Sequence, residues 1–190
     1  DDDEQQQQQQ HHLRSFITFH QNNDIAIGCG QVYADFLVRI KINGRTPRQS
    51  FDDVFVQKKD SLPTFLQPHI DFLLHQGQQQ QKDHNYIDLP DTTAMLEAWS
   101  KKFSVHPMMA ISCACPAALL RSIHVSIHAK SYEHGIRTNL LIGGDNCSTA
   151  IAIGSALGYY YGVPESWTEQ VSPDIVAASC CSASTRTACK

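Results

Sequence analysis

The sequence predicts an all-α protein, and three observations carry that prediction. Apolar residues recur at helical spacing along most of the chain, helix start and stop residues flank those segments, and no Asn-Gly or Asp-Gly pair lies between two alternating stretches as a β-hairpin would require. A helical bundle is the economical architecture for such a pattern. Val32, Phe36, Leu37 and Ile40 mark one apolar helix face, which Asn43-Gly44 would stop. Ser50-Phe51-Asp52-Asp53 reads as the opening of a second helix, with Ser50 as N-cap and two carboxylates in the first turn, where the helix dipole favours negative charge. Phe65, Ile70, Leu73 and Leu74 suggest a third helix. Asp91 to Phe103 gives a fourth with Asp91 as its N-cap, and Pro116 to Lys130 a fifth with proline at its start. Ala150, Gly154, Gly158 and Gly162 recur every four residues, a stripe without bulky side chains that implies a central helix packed closely on its neighbours. Pro164-Glu165-Ser166-Trp167 then reads as a short helix anchored by Trp167.

A chain of 190 residues holds one domain with loose ends. Residues 1–24, acidic and then glutamine-rich, are expected to be disordered, because they carry too little apolar surface to offset the entropy of ordering. Residues 25–172 form the helical domain, interrupted by a Gln-rich loop at 77–85. Residues 173–190, a Ser, Ala and Cys tail, are expected to be disordered. Fifteen Lys and Arg against nineteen Asp and Glu leave a net charge of −4, so no basic excess exists to follow a phosphate backbone, and nucleic acid is not an expected partner. The longest apolar stretch, Ala150 to Val163, falls short of the ~20 residues a spanning helix needs, so no membrane is expected either. Seven cysteines without paired C-x-x-C sets, and no signal peptide in view, point to a reducing, intracellular and cytoplasmic setting. The first residue is Asp1 rather than Met, and the chain reads as a fragment or a processed product.

The sharpest motif is Leu140-Leu141-Ile142-Gly143-Gly144-Asp145-Asn146-Cys147-Ser148-Thr149. Two glycines allow backbone angles and close approaches that a Cβ forbids. Asp145 and Ser148 would project oxygen ligands from a tight turn at a helix entrance, a geometry suited to a hard cation such as Mg²⁺. The same residues serve equally as an ordinary helix N-cap. His124 and His128 lie four apart on a helix and can be read as a transition-metal pair or as a partly exposed helix face. Cys113 and Cys115, with His106 nearby in sequence, can be read as a thiolate nucleophile or as small packed residues at a helix entry.

The run Gly143-Gly144-Asp145-Asn146-Cys147-Ser148, the Ala- and Gly-rich helix after it and the turn Gly162-Val163-Pro164-Glu165-Ser166-Trp167 together resemble the C-terminal metal motif of the ADP-ribosylglycohydrolase family, and its lens crystallin members look especially close. Cys113 to Leu119, Ile123-His124 and Tyr132 to Arg137 are similar to the family segment leading into that motif, so residues 107–171 carry the resemblance best and 28–106 more weakly. The resemblance implies an orthogonal helical bundle, incomplete at its N-terminus. It also implies an enzyme that hydrolyses the glycosidic bond between ADP-ribose and a protein side chain or small molecule, assisted by Mg²⁺. Asp145 and Ser148 match the family's metal ligands, and Gly143, Gly144 and Asn146 the cofactor-binding turn. Cys147 stands where a second Asp belongs, and a neutral thiol is a poor Mg²⁺ ligand. The family's N-terminal acidic motifs are missing, with only a faint echo at Pro90-Asp91-Thr92-Thr93. A non-catalytic, crystallin-like structural or ADP-ribose-binding protein is therefore the alternative. Nothing in the sequence indicates the oligomeric state.

Overall fold

The computed structural model describes residues 8, 11–15, 17–19, 21–80 and 89–173. Every regular element among them is helical. Helix α1 (Asp24–Lys41) is followed by α2 (Pro47–Phe51), which runs into a π-helical turn at Asp52–Val56. A 3-10 turn (Lys59–Ser61) precedes α3 (Gln67–Gln80), α4 (Leu89–Lys102) and the short α5 (Pro107–Ala110). Then come α6 (Ala117–His128), α7 (Tyr132–Ile142), α8 (Asn146–Tyr161) and α9 (Glu165–Thr168).

Helix α1 forms as its pattern dictates. Asn23 caps it by accepting from the Ala26 amide at 2.8 Å, Asp24 occupies the first turn and Arg39 and Lys41 the last, each charge matched to the helix dipole. The predicted face is the buried one: Val32, Phe36 and Ile40 are buried and Leu37 packs beside them. The chain leaves the helix through Gly44 at φ +62°, a left-handed conformation that favours glycine.

Ser50 does not cap the second helix. Thr46 does, accepting from the Gln49 amide at 3.1 Å, while Gln49 Oε1 accepts from the Thr46 amide at 3.0 Å, a reciprocal capping box with Pro47 just inside the start. Ser50 is instead buried within α2 and donates to the Phe36 carbonyl at 2.7 Å, tying α2 to α1. Asp52 and Asp53 therefore follow α2 rather than open it. They face cations: Asp53 lies 3.2 Å from Arg45 and 3.5 Å from Arg39, and Asp52 lies 3.3 Å from Arg48.

The third and fourth helices start differently from expectation. Phe65 precedes α3 rather than belonging to it, while Ile70 and Leu73 are buried as the pattern requires. Helix α4 begins at Leu89, so Asp91 lies inside its first turn instead of capping it. Gln78 to Gln80, placed in the expected loop, continue α3, consistent with the good helix propensity of glutamine. Residues 81–88 and 174–190 lie outside the described residues. Residues 11–15 and 17–19, within the stretch expected to be disordered, are helical, and Ile17 lies directly over Gly30 of α1.

The main core is aromatic. Phe36, Phe51, Phe55 and Trp99 meet Leu66, Ile70, Leu120 and Ile123 there, with Phe51 and Phe55 stacked at 5.2 Å. Helix α8 packs chiefly on α7 and α6. A small second cluster of Val125, Ile153 and Leu157, lined by Tyr132 and Ile136, joins those three helices. The glycine stripe serves this contact, since Gly154 and Gly158 face the Tyr132 side chain. Only part of α8 is covered, however: Ile151 is 74% exposed. Trp167 anchors α9 as expected, its ring edge-on to Tyr132 at 5.6 Å.

Candidate functional site

The entrance of α8 is built on two consecutive glycines. Gly143 closes α7 at φ +80° and Gly144 follows at φ +71°, so the chain reverses through two left-handed residues. Gly144 has a second requirement, because a Cβ there would lie 2.0 Å from the Ile111 carbonyl oxygen. That same carbonyl accepts the Asp145 amide at 2.8 Å, fixing the turn against the loop after α5.

Asp145 is the N-cap of α8. One carboxylate oxygen accepts the Ser148 amide at 3.2 Å and the other accepts the Ser148 hydroxyl at 2.9 Å. The Ser148 amide and then its hydroxyl hold the Asp145 carboxyl below the usual carboxylate range, and the Cys113 thiol and Cys147 amide act in the same direction. Asp145 is thus an ionised, accessible carboxylate whose nearest partner is Ser148. The cation-ligand pair expected from sequence is brought together, in the form of a helix cap.

Asn146 points the other way, into the protein. Its Oδ1 accepts from Arg121 at 2.8 Å and its Nδ2 donates to the Leu140 carbonyl at 3.3 Å. Arg121 is fully buried on α6. It also donates to the Gly143 carbonyl at 2.9 Å, the Asn139 carbonyl at 2.8 Å and Asn139 Oδ1 at 2.7 Å. Thr149 donates to the same Asn139 Oδ1 at 2.8 Å, and Asn139 Nδ2 donates to the Asn146 carbonyl at 3.0 Å. Burial pushes the Arg121 guanidinium pKa down, while the Asp145 carboxylate pulls it up. This network clamps the turn from beneath. Sequence reasoning missed Arg121, although it is the only Lys, Arg, Asp or Glu between Pro116 and Ala129, a signal that a charge sits within an apolar helix.

Beside the turn lies a cleft of about 800 Å³ whose lining includes Cys29 and Tyr33 from α1, Cys113 and Cys115 from the approach to α6, and Ser148 and Thr149 from α8. None of its described lining side chains is Asp, Glu, Lys or Arg. Asp145 joins its edge through its bonds to Ser148 and Cys113.

Of the histidine pair, His128 is half-buried on a partly exposed face, as expected, and His124 is not. His124 is buried with Nδ1 3.3 Å from Thr92 Oγ1, and the His124 and His128 rings lie 4.6 Å apart. Burial lowers the pKa of His124 to about 3 and of His128 to about 4, with the His128 ring adding to the first shift and Arg48 to the second. His124 is thus a neutral buried residue and His128 a neutral, half-buried one. His106 caps α5 by accepting from the Met108 amide and is not among the residues lining the cleft with Cys113 and Cys115.

Asp145 and Ser148 supply two oxygen donors, and Cys147, exposed beside them, supplies sulfur. Among the described residues no group of three His, Cys, Asp or Glu converges to hold a metal. Mg²⁺ demands a near-octahedral set of oxygens. The described residues therefore do not make a Mg²⁺ site by themselves.

Over residues 3–186 the chain matches the family described as ADP-ribosylglycohydrolase, and it belongs to that family. The likeness carried by residues 107–171 thus extends along nearly the whole chain, and the all-α fold is the family's. Neither a curated protein nor a solved structure matches it. No helix among the described residues is long and apolar enough to cross a membrane.

Proposed function

We propose that the cleft beside α8 receives the ADP-ribosyl group of a modified protein or small molecule, and that the protein acts in hydrolysis of its glycosidic bond. Family membership over residues 3–186 carries this reading. The accessible Asp145 carboxylate, held ionised by Ser148, suits contact with ribose hydroxyls at the cleft edge. Gly143, open where a Cβ would stand, would let the substrate approach the backbone there, while Gly144, pressed on Ile111, and Asn146 would keep the turn in shape. Mg²⁺, where bound, would add Lewis-acid polarisation to a complete site of which Asp145 and Ser148 are one part. A cytoplasmic, reducing location agrees with the four free cysteines among the described residues.

A second reading has its own support. Cys147 in place of an acidic ligand, and the lack of a third metal-binding group among the described residues, favour a non-catalytic ADP-ribose-binding or crystallin-like structural role. Titration calorimetry with ADP-ribose, with and without Mg²⁺, combined with chromatographic detection of ADP-ribose released from an ADP-ribosylated peptide, separates the two. Release that needs Mg²⁺ and disappears in Asp145→Ala supports hydrolysis. Saturable binding without release supports the second reading, and absence of both rejects ADP-ribosyl recognition.

A further inference from the structure

Helix α8 carries no charged residue from Asn146 to Tyr161, and most of its side chains are apolar. Such a helix is ordinarily covered on every side. Here α6 and α7 cover one side and α1 flanks it, with Tyr33 donating to the Ala152 carbonyl and Lys41 Nζ 4.9 Å from the centre of the Tyr159 ring. The outward ridge is left uncovered. Cys147, Ile151, Ser155 and Tyr159 follow one another along it at four-residue spacing. Cys147 is exposed, Ile151 is 74% exposed, Ser155 is half-buried and Tyr159 is 50% exposed. We infer that this ridge is the contact face of a homodimer, in which α8 of one copy packs antiparallel on α8 of a second.

Side-chain size assigns both the partner and the direction. Along the ridge small and large residues alternate: Cys147, Ile151, Ser155, Tyr159. Antiparallel pairing about the level of Ile153 sets each Ile151 against Ser155 of the other copy and each Tyr159 against Cys147, so every large side chain meets a small one. A parallel pair in register would set Ile151 on Ile151 and Tyr159 on Tyr159. Covering the ridge strands no hydroxyl at its centre, because Ser155 already donates to the Ile151 carbonyl at 2.7 Å. Charge agrees with the same direction. The ridge is neutral, Asp145 stands at its head and Lys41 beside its foot, and antiparallel pairing brings Asp145 of one copy alongside Lys41 of the other. The cleft takes Ser148, Thr149 and Ala152 from α8 and none of the four ridge residues, so ridge and cleft are separate surfaces of the helix. The ridge runs along about 18 Å of helix. An interface of that size makes a transient dimer, with Kd on the order of 10–100 µM.

Sedimentation velocity of the full chain, kept reduced and run from about 5 to 500 µM to bracket that Kd, is the test. The expected result is a reversible shift from monomer to dimer as concentration rises. Ile151→Lys changes an exposed side chain; it should leave the thermal melt in place and weaken association roughly tenfold or more by burying an unpaired charge. Ile151→Ser should weaken it through the lost apolar contact and Ser155→Ile through overpacking. The two together should restore it, because the exchange keeps large against small. Lys41→Glu should weaken it by a smaller factor that fades at high salt. A monomer at every concentration would overturn the inference. So would a dimer that tolerates Ile151→Lys, or a double variant that does not recover. Each readout is a mass in solution, independent of any ADP-ribosyl ligand.

Discussion

The aromatic core and the α7–α8 turn are held by opposite means. Around Phe36, Phe51 and Phe55, stability comes from many dispersed contacts in a close-packed apolar interior. At residues 139–149 it comes from one guanidinium and two asparagines joined by specific hydrogen bonds, with Arg121 Nε left without a partner. Apolar packing degrades gradually when a side chain changes shape, whereas a buried polar network leaves orphaned groups as soon as one member is lost. The candidate site therefore rests on the less forgiving of the two supports.

Arg121→Met tests that contrast most severely. It conserves an unbranched side chain but leaves the Gly143 carbonyl and Asn146 Oδ1 without their donor, and should cost about 3–5 kcal/mol in urea unfolding. Acidification comes next. His124 and His128 bind protons near 6.5 in the unfolded chain but only near 3 and 4 when folded. The unfolded state thus holds more protons over that window, and stability falls as pH drops below about 6.5. A loss on the order of 2 kcal/mol or more between pH 7 and pH 5 is expected, and replacing both histidines with Gln should flatten the profile. Phe36→Leu, in the aromatic core, should cost only about 1–1.5 kcal/mol because the interior can repack around a similar shape; a loss as large as that of Arg121→Met would erase the distinction between the two regions. Asp145→Ala should have the smallest effect on unfolding, through the lost cap, and Asp145→Asn less still.

The same contrast decides what could be read in advance. Helix positions followed from apolar spacing, as Val32, Phe36 and Ile40 show, because burial of one face leaves a periodic trace. The Gly143-Gly144 reversal and the Asp145 cap were legible because their backbone demands select particular residues. Ser50 misled, since a serine before acidic residues looks like a cap; the stronger signal was the Thr46-Pro47-Arg48-Gln49 capping box four residues earlier. Arg121, Asn139 and Asn146 could not be matched from one sequence, because their pairing depends on three-dimensional proximity between α6, α7 and α8.

The bond from the Asp145 amide to the Ile111 carbonyl, with Gly144 pressed against the same oxygen, carries a consequence for the order in which the protein folds. A tight turn would ordinarily form early, from neighbours alone. Here part of its shape is held by a loop from the far side of two intervening helices, so the turn is complete only once residues 111 and 145 have met. The carboxylate at the head of α8 is set in place by long-range docking, and a nascent chain carries the whole motif before it possesses the site.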